Sequence, residues 1–243
     1  MASGDCPDRF PTTMWNELLV AKDPNDPQQV LAMNRLISGY WRPVFFYLRT
    51  KGMPVQQAED LTQEFFLRFI ERQWLAPADP SRGRFRTFLL TVLSRFVADQ
   101  SPARTTRQNS FEQQLVPISA LVGSKERSFE PPDTETAEQV FMRQWARAVI
   151  RNVRRRLKGW CEDNGRPDWY RVFAAFNLPD AGDSRVTQEA VSQQLKISRD
   201  QVRYALSQTN DKFAELLQGE IAEQVDSPEE VGLEIQELQE LLG

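Results

Sequence analysis

Residues 186–206 read VTQEAVSQQLKISRDQVRYAL, and the polar residues toward the end of this segment have the types and spacing needed to read nucleic acid. Thr187 can cap one short helix and Ser198 the next, because a hydroxyl oxygen accepts from the free N–H groups of a first turn. Val191 and Leu195 then face inward from the first helix, Ile197 fills the turn, and Val202 and Leu206 face inward from the second. Ser192 is the small residue where the two helices would cross. This arrangement leaves Arg199, Gln201, Arg203, Tyr204 and Ser207 outside. Arginine reaches phosphates and guanine edges, and glutamine pairs with adenine in a major groove. The segment therefore predicts a DNA-binding helix-turn-helix; the plainer reading is a helical hairpin used only for packing.

Other chemistry is poorly supplied. There is no histidine, and the only cysteines are Cys6 and Cys161, with no CxxC. The commonest general base and metal ligand is thus missing, and neither a disulfide framework nor a zinc site is suggested. Glu59, Asp60 and Glu64 could be read as a carboxylate cluster for a metal, but no further ligand stands nearby and Glu59 points away on a helix. No catalytic residue, metal or cofactor is expected, and the chain is not expected to be an enzyme.

The net charge of −4 is at odds with DNA binding until it is mapped along the chain. Beyond Lys212 there are nine acidic residues and no basic one, so positions 1–212 hold all 30 basic residues and 25 of the 34 acidic ones. The body is basic and the tail acidic. Residues 141–158 contain seven basic residues and no acid, and residues 82–107 contain six arginines against Asp99. Such clusters neutralise phosphates, although each alone is equally well a solvated helical face.

The elements that must position these groups read as helices. Apolar residues recur at helical spacing through Leu36, Ile37, Tyr40, Trp41, Val44, Phe45 and Leu48, through Ala58, Leu61, Phe65, Phe69 and Ile70, and through Phe85, Phe88, Leu89, Val92, Leu93 and Phe96. Gly52 and Pro54, then Pro77, Pro80 and Gly83, separate them. Pro43 should kink the first of these helices or mark its start, and Pro24 and Pro27 bound a short opening helix near residues 14–21. The regular spacing of Phe85, Phe88 and Phe96 assigns them to the core rather than to base stacking. Arg95, Gln100, Arg104 and Arg107, at and beyond the end of that helix, are the better candidates for DNA contact. The periodicity fades over 108–136, a flexible linker, and returns with Val140, Phe141, Trp145, Val149, Val153 and Leu157 and then Val172, Phe173 and Phe176. The expected fold is all-α: a helical bundle over 14–107, the linker, a helix-turn-helix domain over 137–219 and an acidic C-terminal extension over 220–243.

In that extension Ser227, Pro228 and Glu230 form a capping-box start, and Val231, Ile235, Leu238 and Leu242 line one face. An amphipathic helix is expected. It either packs on the second domain or lays its acidic face over the basic cluster 143–158 and restrains DNA binding. No apolar run approaches the ~20 residues needed to span a bilayer, and residues 1–10 have no basic start followed by an apolar stretch. The expected location is the cytoplasm, with no membrane association.

Taken in order, these segments resemble a bacterial RNA polymerase sigma factor of the extracytoplasmic-function group. AEDLTQEFFLRF at 58–69 resembles the region-two helix that grips the clamp of core RNA polymerase, and GRFRTFLLTVLSRFVADQ at 83–100 is similar to the helices that melt and read the minus-ten element. The helix-turn-helix stands where the family places its minus-thirty-five reader. The ending EIAEQVDSPEEVGLEIQELQELL at 220–242 resembles a C-terminal extension of planctomycete-type sigma-like proteins.

The resemblance implies an alternative sigma factor with a region-two-like bundle and a region-four-like helix-turn-helix domain. Its partners would be core RNA polymerase and promoter DNA, with room for an anti-sigma or other regulatory protein, and it would be a monomer when free. Asp60, Gln63 and Glu64 share one exposed helical face and would meet basic residues of the polymerase. A stand-alone helix-turn-helix regulator and a sigma-like adaptor without productive promoter contact are the alternatives.

Some positions depart from the family. Ala205, Gln208 and Asn210 stand where further basic residues are common, and Pro102 interrupts a segment that usually continues as helix. Lys196 occupies a turn position where glycine is common, and a left-handed lysine would cost ~1 kcal/mol or more. A differently shaped turn is therefore expected.

Overall fold

Helical periodicity in the sequence becomes helix throughout the described residues. The computed structural model describes residues 15–23, 25–78, 83–99, 135–178, 186–222 and 228–243, and every regular element among them is a helix. None of these helices is long and apolar enough to cross a membrane. The described residues fall into two compact units, one drawn from Met1–Ala148 together with Ala222–Gly243, the other from Val149–Ile221.

The first unit contains α1 (Trp15–Lys22), α2 (Gln29–Thr50), α3 (Val55–Glu71), α4 (Phe85–Ala98), the N-terminal part of α5 (Ala137–Asp163) and α9 (Pro228–Leu242). Against expectation, Pro43 does not mark the start of a helix, for α2 continues through it. The preceding turns carry Ala32, Met33, Leu36, Ile37 and Tyr40 into the core, and that burial outweighs the ~3 kcal/mol a helix-interior proline costs. Gly52, at φ +87°, ends α2, and the Met53 N–H donates back to the Leu48 carbonyl over 3.3 Å. A side chain is disfavoured at that φ, which is why glycine stands there.

Aromatic rings fill this unit. Phe65 of α3 lies 5.2 Å from Phe66, 5.9 Å from Phe69, 6.3 Å from Trp74 and 5.4 Å from Phe96 of α4. Trp41 of α2 stacks on Phe66 at 5.8 Å, while Tyr40 meets Phe85 at 5.4 Å and Phe141 of α5 at 6.4 Å. These helices are thereby tied around one core, and the orientation of α3 is fixed by which of its residues those rings accept.

The second unit contains the rest of α5, α6 (Pro167–Asn177), α7 (Gln188–Leu195) and α8 (Arg199–Ala222). Val172, Val191, Val202 and Ala205 form one buried cluster, with Leu195, Ile197 and Leu206 packed on it as the inward-facing pattern requires. Leu157, Cys161 and Phe173 form a second, ringed by Trp160, Trp169, Tyr170 and Phe213. A buried carboxylate closes the unit: Glu220 accepts from Asn152 Nδ2 at 2.7 Å and from Arg156 Nη1 at 2.7 Å.

Candidate functional site

The α7–α8 corner is built by short-range hydrogen bonds. Thr187 Oγ1 accepts from the Ala190 N–H at 3.2 Å and starts α7. Ser198 and Gln201 cap α8 reciprocally: Gln201 N–H donates to Ser198 Oγ at 3.1 Å and Ser198 N–H to Gln201 Oε1 at 2.8 Å. In the turn, Lys196 takes the left-handed conformation at φ 56°, ψ 41°. The turn therefore keeps the shape that glycine serves, contrary to expectation, because other contacts hold it. The N–H groups of Lys196 and Ile197 both reach the Ser192 carbonyl, and Ser192 Oγ donates to the Ile197 carbonyl at 2.6 Å. Ser192 is thus a clip within the turn and not merely a small residue. Lys196→Gly should raise stability by up to about 1 kcal/mol, the left-handed penalty less the extra unfolded-state freedom of glycine; the denaturant midpoint of the two proteins measures it.

Arg199, Gln201, Arg203, Tyr204 and Ser207 all lie exposed on α8. Arg199 pairs with Glu189 and Arg203 with Asp200. Exposed pairs of this kind are worth only ~0–1 kcal/mol, so either guanidinium is easily redirected to an external anion. Tyr204 is 58% exposed and rests edge-on against Trp169, ring centres 5.7 Å apart. Gln201 Oε1 is engaged in the cap. Ala205, read as a missing cation, is fully buried in the core; a basic residue there would have no route to a ligand. Asn210 accepts from Asn177 Nδ2 at 3.3 Å.

On α3, Ala58, Thr62, Phe65, Phe66 and Phe69 are buried, Asp60 is exposed, and Gln63 and Glu64 are half-buried. Leu61, expected to point inward, is only half-buried, and Phe66 takes the core position beside Phe65. Thr62 satisfies its hydroxyl by donating to the Ala58 carbonyl at 2.6 Å. Asp60 accepts from Gln56 Nε2 at 3.4 Å, and Glu64 pairs with Arg68, whose guanidinium lies 5.4 Å from the Phe96 ring. Glu64 is thus oriented by a cation that is itself anchored on the aromatic core. These three polar groups stand on the side of α3 away from its rings, where a basic partner would find them.

Phe85 and Phe96 are buried and Phe88 is half-buried against Phe85, at 5.9 Å, so two of the three belong to the core as their spacing predicts. Arg95 is exposed near the end of α4; Gln100, Arg104 and Arg107 lie outside the described residues. Sequence reasoning counted Arg84 and Arg86 in the basic stretch 82–107 but missed their partners. Arg84 binds Glu234 at 2.7 Å and also pairs with Glu237, while Arg86 pairs with Glu234 and binds Glu237 at 3.1 Å. The C-terminal helix accordingly belongs to the first unit rather than the second, and these carboxylates are engaged by Arg84 and Arg86 instead of the 143–158 cluster. Burial pushes the Glu237 carboxyl upward, but the charges and hydrogen bonds of Arg86 and Arg84 outweigh it and hold the group below the ordinary carboxylate range. No local pattern signals the pairing, since the arginines stand two residues apart, the glutamates three, and the two pairs lie far apart in the chain.

No group of three or more potential metal ligands occurs among the described residues. Cys161 is buried, and burial followed by the charge of Glu162 pushes its thiol upward, away from the nucleophilic thiolate. No family profile, curated protein or solved structure matches the chain.

Proposed function

We propose that this protein is an alternative sigma factor resembling the extracytoplasmic-function group: a non-enzymatic initiation factor that binds core RNA polymerase through α3 and contacts promoter DNA through the α4 end and through α8. The observation that carries the reading is α3 itself. One side of the helix is locked into aromatic rings, and the other carries Asp60, Gln63 and Glu64 to solvent, with Glu64 oriented by Arg68. A capped helix-turn-helix in a separate compact unit supports the second half of the assignment. The factor works in the cytoplasm, and an anti-sigma or other regulatory protein fits the scheme as a further partner.

A second reading, an adaptor that binds polymerase without productive promoter contact, is favoured by the cap at Gln201, which engages the Oε1 that base reading would use. Mixing the purified chain with core polymerase and then with a promoter library separates the readings. A complex that yields transcripts supports the sigma assignment. A complex without transcripts supports the adaptor, and DNA binding with no complex indicates a stand-alone helix-turn-helix regulator.

A further inference from the structure

α9 is held to the first unit by charge as well as by packing. Its 15 residues include Glu229, Glu230, Glu234, Glu237 and Glu240 and no basic residue. Among its described side chains Glu234 and Leu238 are the buried ones, while Leu233 is 64% exposed. Val231, Ile235 and Leu241 are half-buried beside Leu238, so a single fully buried leucine anchors the apolar seam. The buried centre of the contact is ionic. Arg86, whose side chain is only 4% exposed, lies with its guanidinium 4.1 Å from the centre of the Trp145 ring and meets both Glu234 and Glu237, and Arg84 meets the same two carboxylates from a more open position.

An arginine fork donates to two oxygens of a carboxylate or of a phosphate in the same planar geometry. Arg84 and Arg86 therefore form an anion site at the start of α4, and α9 supplies its occupant. Stability alone does not call for this arrangement, since a buried ion pair is seldom better than apolar side chains of the same shape. What an ionic attachment adds is that another anion of suitable spacing can replace it. The nucleic-acid backbone is such an anion, and Arg84 and Arg86 belong to the same basic stretch of sequence as Arg95.

We propose that α9 is a tethered internal competitor: Glu234 and Glu237 occupy, on Arg84 and Arg86, a site whose other occupant is the phosphate backbone of DNA, so that DNA binding by the first unit requires α9 to leave. The inference rests on the promoter-binding reading above and adds its regulation. Because the chain itself tethers the helix, its effective concentration at the site is high, and the closed form predominates when DNA is dilute. Release uncovers Arg86 while leaving the Trp145 face beneath it.

The test uses the full chain and a fluorescein-labelled duplex containing a single-stranded bubble, with affinity read by anisotropy at low and moderate salt. Glu234→Gln/Glu237→Gln should bind about tenfold more tightly than the parent, the gain for a site open about a tenth of the time. Glu229→Gln/Glu240→Gln removes equal charge from α9 away from the arginines and should change affinity by less than about twofold. In the unaltered protein, amide exchange across α9 should accelerate at saturating DNA, a readout that does not depend on the variants folding. Equal gains in the two double variants, no DNA binding by any form, or α9 protection that is unchanged or higher with DNA bound would each overturn the proposal. Core-polymerase binding, measured on the same preparations, keeps the two ideas apart. A polymerase complex with unaltered DNA affinity removes the competitor alone, whereas release of DNA binding without a polymerase complex removes the sigma assignment alone.

Discussion

Asp60→Lys combined with Glu64→Lys should abolish the proposed complex with core RNA polymerase, weakening it by at least about 100-fold, because opposed like charges at an interface cost several kcal/mol. The fold should survive. Asp60 is exposed, Glu64 is half-buried, and neither contributes a ring or an apolar contact to the core. The change removes the Glu64–Arg68 pair and places a second cation one helical turn from Arg68, a loss of a few tenths of a kcal/mol on a helix surface. Co-elution with purified core polymerase, alongside thermal unfolding of the free variant, checks both halves. A double variant that elutes with polymerase like the parent would refute the assignment of α3 as the docking helix. The effect should shrink as salt rises, since rim charges are screened.

Phe65→Ala should destabilise the first unit by about 3–5 kcal/mol, the usual cost of truncating a buried phenylalanine. Phe65 is fully buried and touches rings from its own helix, from Trp74 and from Phe96 of α4. Its loss leaves a void whose walls are stiff aromatic planes, which collapse poorly around a missing neighbour. Amide exchange localises the damage better than total fluorescence, because tryptophans stand in both units. Protection in α3 and α4 should fall far more than protection in α7 and α8. A Phe65→Leu substitution retains much of the volume and should cost less than half as much.

Both predictions rest on elements that local sequence made visible. Period-three-and-four spacing located α2, α3 and α4, and the hydroxyls of Thr187 and Ser198 located the starts of α7 and α8, because caps and amphipathic faces are set within a few residues. Phe66 was missed for a related reason: two adjacent phenylalanines cannot share one narrow stripe, and only packing on Trp41 shows that both are needed. Arg86 and Glu234 were illegible in a different way. Each is a charged residue that composition sends to the surface, and each is buried only because the other arrives from 148 positions away. A pairing of that range leaves no periodic trace. The capping use of Gln201 was not foreseen because its side chain has two uses, base reading and capping, and the sequence alone does not decide between them.

The capping of α8 bears on what this helix can recognise. With Gln201 Oε1 engaged by its own backbone, the other exposed polar groups of the candidate set are two arginines held in weak surface pairs and the hydroxyls of Tyr204 and Ser207. A hydroxyl donates or accepts as the neighbour demands, so it discriminates weakly among bases, whereas a bidentate contact is worth about 1–3 kcal/mol against the wrong one. In the promoter-binding role proposed above, base discrimination by α8 would therefore rest mainly on Arg199 and Arg203 at guanines, and fixed bases of other kinds would be few on that side.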